Sequence, residues 1–327
     1  MSSRDTDTRF VSLVDLPLLR RLNEKSVILD SEIIFTRDSA DTVGTFVSSV
    51  ILPLRGLYTL VTRSGSLQVI GQFRLRSDDM HAHVIYMAPG HHDGDDTAYL
   101  HMLDSMAREA GRMGAHALLA EVNEHSPLFE TLRTAGFAVY TRQSVWARYP
   151  AFARVDTPGM PLKEENEHDL AGVNALIGST VPSLVHQFAL PPADMPRLVY
   201  RRGERVEGYV AYAEGRNGIY VIPFLHPDVM SSAPAILQGA IGMIARSERV
   251  PVFVCVRRYQ DWMENALADL SFEPHTYQAL MVKHLTAGVR RATFRTVKAT
   301  TLTVNHAKPP TTRVVRWGSD QSSLLEK

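Results

Sequence analysis

The first half of the chain shows β-type apolar runs at Phe10 to Leu13, Leu57 to Thr62, Leu67 to Leu75 and His83 to Met87, separated by turn residues such as Ser64-Gly65. Runs of this length and spacing predict strands. After a Pro-Gly loop the period changes. From Ala98 to Met113, the residues Leu103, Met106, Ala107, Ala110 and Met113 fall on one stripe, while His101, Asp104, Arg108, Glu109 and Arg112 point away. That is the signature of an amphipathic helix, and Gly114 breaks it. Ala117 to Val122 reads as a buried strand, Ser126 and Pro127 supply the N-cap and first-turn proline of a short helix, and Gly136 stops that helix. Phe137 to Ala147 returns to β character through Val139, Val145 and Trp146.

The same order recurs from Arg197 onward. Leu198 to Tyr200, Val206 to Ala213 and Ile219 to Leu225 predict strands, His226 to Pro234 a loop, and Ala235 to Arg246 a helix. Val252 to Val256 predicts a buried strand, Tyr259 to Leu270 a short amphipathic helix, and Phe272 to His284 a last extended run. Each half opens with a weak strand and helix, Glu167 to Ile177 being the clearer helix. Tyr149 to Pro161 lacks periodicity and holds Pro150, Pro158, Gly159 and Pro161, as a linker does. The expected division is 1–148, a linker over 149–160, a second domain over 161–286, and a disordered basic tail over 287–327.

Composition narrows the function classes. A length of 327 residues suits two domains, and 45% hydrophobic with 21% charged residues is ordinary for a folded soluble protein. Lys+Arg and Asp+Glu balance at 35 each, so no global field favours nucleic acid or a membrane surface, and neither is expected as a partner. The polar start and the lack of a spanning apolar run point to the cytoplasm. Cys255 is the single cysteine, which excludes an intramolecular disulfide and a zinc site built on several thiolates; it reads as a small buried hydrophobe. His81, His83, His91 and His92 lie near Asp93, Asp95 and Asp96, but no ligand spacing rule is met and no metal is expected.

Two segments carry a family likeness: Leu128 to Phe137, reading Leu-Phe-Glu-Thr-Leu-Arg-Thr-Ala-Gly-Phe, and Met263 to Phe272, reading Met-Glu-Asn-Ala-Leu-Ala-Asp-Leu-Ser-Phe. With the doubled element order, they resemble the GNAT N-acetyltransferase superfamily in tandem. The resemblance implies an α/β fold of two GNAT-like domains, each a mixed, mostly antiparallel sheet flanked by helices. It also implies acetyl-CoA or another acyl-CoA as co-substrate, with a small-molecule or protein amine as acceptor. In that family the pantetheine pairs with the fourth-strand backbone, which falls here at Tyr86 and Met87 or at Phe224 and Leu225. The pyrophosphate grips a helix-opening loop, whose positions correspond to His92 and Gly94 in the first half and Ser231, Ser232 and Ala233 in the second. Asp93 and Asp95 stand on glycine positions of the first loop, and Met230 replaces the basic residue of the second. Carboxylates there repel a diphosphate, and they also suit helix N-capping.

An acyl transfer needs a base and often an acid. Glu121, at the end of the fifth strand, is a candidate base or a rim carboxylate; Tyr140 and Tyr277 are candidate acids or packing tyrosines. Two functions stand open: acyl-CoA-dependent N-acyltransfer, and a catalytically silent binding or scaffold protein that has kept the fold and lost CoA.

Overall fold

The apolar runs become strands and the helical stripes pack across them. In the computed structural model, residues 7–23, 26–37, 56–65, 67–77, 79–90, 95–150, 157–244 and 246–285 are described. His91, His92, Asp93 and Gly94, part of the expected linker and the expected tail lie outside them. The first half contains β1 (Asp7–Phe10), α1 (Leu16–Asn23), β2 (Val27–Ile28), α2 (Ser31–Thr36), β3 (Leu57–Ser64), β4 (Leu67–Arg74) and β5 (His81–Ala88). It continues with α3 (Thr97–Arg112), β6 (Ala117–Asn123), α4 (Pro127–Thr134) and β7 (Ala138–Arg148). The second half runs β8 (Lys163–Glu164), α5 (Leu170–Thr180), α6 (Ser183–Ala189), β9 (Arg197–Arg202), β10 (Arg205–Glu214) and β11 (Ile219–Leu225). Its remaining elements are α7 (Ala233–Met243), β12 (Val252–Arg257), α8 (Met263–Asp269) and β13 (Glu273–His284).

The two expected sheets are joined into one, ordered β1-β3-β4-β5-β6-β13-β7-β12-β11-β10-β9-β8, with β2 paired to β5. The joint is an exchange of last strands. β13, from the second half, pairs with β6 over Gln278–Asn123 to His284–Ala117, and β7, from the first half, pairs with β12 over Arg148–Val252 to Gln143–Arg257. β7 and β13 also pair with each other, so each is bonded along both edges. The described residues form one compact unit.

Side-chain alternation on these strands sets two faces. On one, Met102, Leu103 and Met106 of α3 pack with Leu118, Ala120, Ala279 and Met281, and Ile236, Leu237 and Ala240 of α7 pack with Val252 and Val254. On the other, Phe35 of α2, Val173 and Leu176 of α5 and Val185 of α6 pack with Val145, Phe253 and Cys255. β11 and β12 are buried at every residue, which is why their sequences are continuous apolar runs rather than alternating ones. No helix among the described residues is long and apolar enough to cross a membrane.

The helix signals act as read. Ser126 Oγ accepts from the Leu128 N–H at 3.3 Å, and Pro127 occupies the first helical turn. Gly136 ends α4 at φ 89, where a side chain is strained. Its counterpart after α8 is Ser271, held at φ 61. Left-handed backbone costs an L-residue roughly 1–2 kcal/mol, so Ser271→Gly is expected to stabilise the protein by about 1 kcal/mol, part of the gain being offset by glycine's freedom in the unfolded chain. Urea unfolding reads this as a higher midpoint at an unchanged slope; an unchanged midpoint removes the strain argument.

Candidate functional site

The fourth and fifth strands of each half separate, as a ligand cleft between them requires. β5 and β6 are parallel and paired only over His81–Ala117, Ala82–Leu118 and His83–Leu119. β11 and β12 are likewise paired only over Ile219–Val252, Tyr220–Phe253 and Val221–Val254. Beyond those residues the strands diverge, and both openings are occupied by the chain itself.

In the first opening the occupant is backbone. β2 pairs antiparallel with the free edge of β5, Val27 opposite Met87 and Ile28 opposite Tyr86. Leu29 then spans the gap: its N–H donates to the Ile85 carbonyl at 2.8 Å, and its carbonyl accepts from the Glu121 N–H at 2.9 Å. The other edge of β5 pairs with β4 at the same residues. At Tyr86 and Met87, the expected cofactor positions of the first half, β5 is thus paired along both edges. Burial also holds the Tyr86 hydroxyl protonated, its pKa pushed up to about 12.

In the second opening the occupant is a side chain. Phe224 faces Tyr209 across the β10 ladder, which leaves the peptide groups of Pro223 and Leu225 on the β12 side. In the amide orientation that satisfies both ends, Gln260 Nε2 donates to the Pro223 carbonyl at 3.1 Å and Oε1 accepts from the Leu225 N–H at 3.2 Å. Gln260 is 1% exposed. Pro223 itself has no N–H to offer a ligand.

Among the described residues, the helix-opening loops carry acid at Asp95, Asp96 and Asp228. Asp95 accepts from the Thr97 N–H at 2.9 Å and from its hydroxyl, and Asp96 accepts from the Thr131 hydroxyl at 3.0 Å, so both carboxylates serve the start of α3 and its contact with α4. In the second half, residues Pro227–Ser232 wind into a 3-10 helix instead of an open loop. The Ala233 N–H is spent on the Met230 carbonyl, and Pro234 has none. Ser231 is exposed and Ser232 half-buried at this turn, and Asp228 pairs with Arg205 at 3.2 Å beside it.

The candidate catalytic residues are not brought together. Glu121 lies under α2, where Oε2 accepts from the Ser31 N–H at 2.8 Å and Oε1 from Gln143 Nε2 at 3.2 Å. Gln143 Nε2 also reaches Gln278 Oε1 at 3.1 Å, and the Ser31 hydroxyl donates to that oxygen at 2.9 Å. Tyr140 lies toward the other end of the sheet. There its hydroxyl bonds His284, which pairs with Ala117 at the start of β6, and its ring meets Phe188 edge-on at 5.0 Å. Tyr277 neighbours Gln278 in β13 and so points to the opposite face; it is 54% exposed. Neither tyrosine can act on a group held by Glu121. Cys255 is buried, and burial pushes its thiol pKa up, in keeping with a core residue. His81 and His83 share a strand face, and burial pushes the His83 imidazole down to about 4, so it stays neutral. Among the described residues no three metal-capable side chains group together.

Several residues central to this arrangement carried no sequence signal as site residues. Leu29 reads as an ordinary apolar residue, Gln260 as a helix-surface amide, and Gln143 and Gln278 as polar positions in strands. Arg257 gave the best clue, a cation directly after the apolar run Val252 to Val256.

No protein-family model matches the chain, and no curated protein matches it. Solved structures do. A GCN5-related N-acetyltransferase from Sphaerobacter thermophilus is 12% identical with a TM-score of 0.53, over 88% of this chain and 98% of that one. A putative acetyltransferase from Pyrococcus horikoshii is 12% identical with a TM-score of 0.51, over 88% of this chain and 92% of that one. A tandem GNAT protein from the clavulanic acid biosynthesis pathway is 15% identical with a TM-score of 0.49, over 86% and 99%. The first two likenesses establish the fold, and at such identities they establish nothing about activity.

Proposed function

We propose that this chain, which has the GNAT N-acetyltransferase fold, is a binding protein that works without acyl-CoA, its two clefts being closed by its own residues. The observation that carries this reading is Leu29, whose peptide bridges the fourth and fifth strands of the first half through Ile85 and Glu121. A pantetheine arm would have to displace that bridge and the β2 pairing behind it, leaving buried peptide groups to find new partners. In the second half Gln260 holds the equivalent edge with both ends of its amide. The charge at the loops supports the same reading, since Asp95 and Asp96 stand at one helix start and Asp228 near the other.

The test is thermal unfolding with CoA and with acetyl-CoA. No change in Tm is expected at millimolar concentration of either. A saturable rise would overturn the reading, since a ligand at a hundred times its Kd adds about 2.7 kcal/mol of stability. Acceptor-dependent release of free thiol from acetyl-CoA would overturn it as well. Gln260→Ala opens the second edge without touching the first. A CoA-dependent shift confined to that variant would show Gln260 to be the closure of that cleft.

A further inference from the structure

A row of polar residues crosses the exchanged strands: Asn123, Gln278, Gln143 and Arg257 are register neighbours on β6, β13, β7 and β12. Arg257 is 5% exposed, and beside it on the same face lie Cys255 and Tyr220, both buried. Phe35 of α2 covers this region, its ring 5.6 Å from that of Tyr220 and 4.6 Å from that of Phe253. Among the described residues, and the Cys255 thiol aside, no group accepts from Arg257 Nε or Nη1, and none pairs with the hydroxyls of Tyr220 and Tyr259 or with Gln143 Oε1. The Cys255 thiol lies against the guanidinium and the Tyr220 hydroxyl, but burial keeps it protonated and it is a weak acceptor. Glu121 is the acid whose charge acts on Arg257, Tyr220 and Cys255. Its oxygens serve Ser31 and Gln143, and it makes no ion pair with Arg257.

A buried guanidinium with open donor directions calls for an acceptor that is itself charged, because removing such a cation from water is costly unless it is paired and hydrogen-bonded. Two hydroxyls near the same cation add donors, and a carboxylate, with two oxygens and about four lone-pair sites, accepts from several donors at once. We propose that Arg257, Tyr220 and Tyr259 form a binding site for a small carboxylate beneath α2, at the seam between the halves. The site borders the edge held by Gln260, since Tyr259 precedes Gln260 in the same turn, but its test uses carboxylates without CoA, so its outcome is read apart from whether CoA binds.

The experiment is thermal unfolding of the full chain in sodium acetate and sodium glycolate, each against sodium chloride at equal ionic strength. A saturable rise in Tm is expected with the carboxylates and none with chloride. Arg257→Gln should abolish the rise. Tyr220→Phe, which keeps the ring packing on Phe35, should weaken apparent affinity about tenfold, the loss of one hydrogen bond to a charged group. Should Arg257→Gln not fold, Tyr220→Phe and Tyr259→Phe carry the test. Absence of a saturable rise with either carboxylate overturns the proposal, as does a rise with phosphate alone. A crystal grown in acetate with water alone on Nε and Nη1 overturns it too.

Discussion

Cut at the linker into residues 1–156 and 157–327, neither half of this chain is expected to fold as a monomer, and mixing the two is expected to restore a single cooperative transition. The reason is the exchanged strands. β7 carries Trp146 into the core of the second half, while β13 carries Ala279 and Met281 into the core of the first. Each half alone therefore loses the strand that completes its core. Losing Trp146 is comparable to a large-to-small truncation, about 3–5 kcal/mol, before any backbone pairing is counted. β6 loses its β13 partner along its whole length, and β12 loses β7. Open central edges of this kind template association, so aggregates or reconstituted pairs should appear in place of monomers. Light scattering and calorimetry on each half decide the matter. A monomeric half that unfolds cooperatively near the full-length Tm would show that the halves are independent domains.

That exchange was not legible in the sequence. The doubled element order could be read because strands and helices announce themselves through local period, and Gly136 and Ser126 acted where local chemistry placed them. Strand partners carry no local mark. Residues Val139 to Trp146 read the same whether β7 closes its own half or the other, because both choices bury the same alternating face. The clefts were legible only in outline. The resemblance placed a ligand along the fourth-strand backbone, but what fills that place depends on β2, a two-residue strand, and on the side chain of Gln260. Two residues are too few to show a period, and a single glutamine shows none. The acids at the first loop were visible, and their capping work at Asp95 is the role that composition at a helix start favours.

Glu121→Ala is expected to lower the free energy of unfolding by about 3 kcal/mol, because the carboxylate holds three things at once. It accepts from the Ser31 N–H in the first turn of α2, which otherwise has no partner from within the helix. It accepts from Gln143, which lies between Gln278 and Arg257 in the polar row. Its charge also acts on the buried Arg257, and removing the acid leaves that cation less compensated. Glu121→Gln keeps an acceptor and loses the charge, so it should cost less than the alanine change, and the difference between the two measures how much of the effect is electrostatic. Urea unfolding followed by tryptophan fluorescence reads both, with Trp146 buried in the second half reporting on the seam. A loss below about 0.5 kcal/mol, the usual range of surface substitutions, would make Glu121 dispensable to the fold. The sequence left Glu121 as a base or a rim carboxylate, and a large loss gives it a third role that neither reading contained, a carboxylate that ties α2 to the strand-exchange seam.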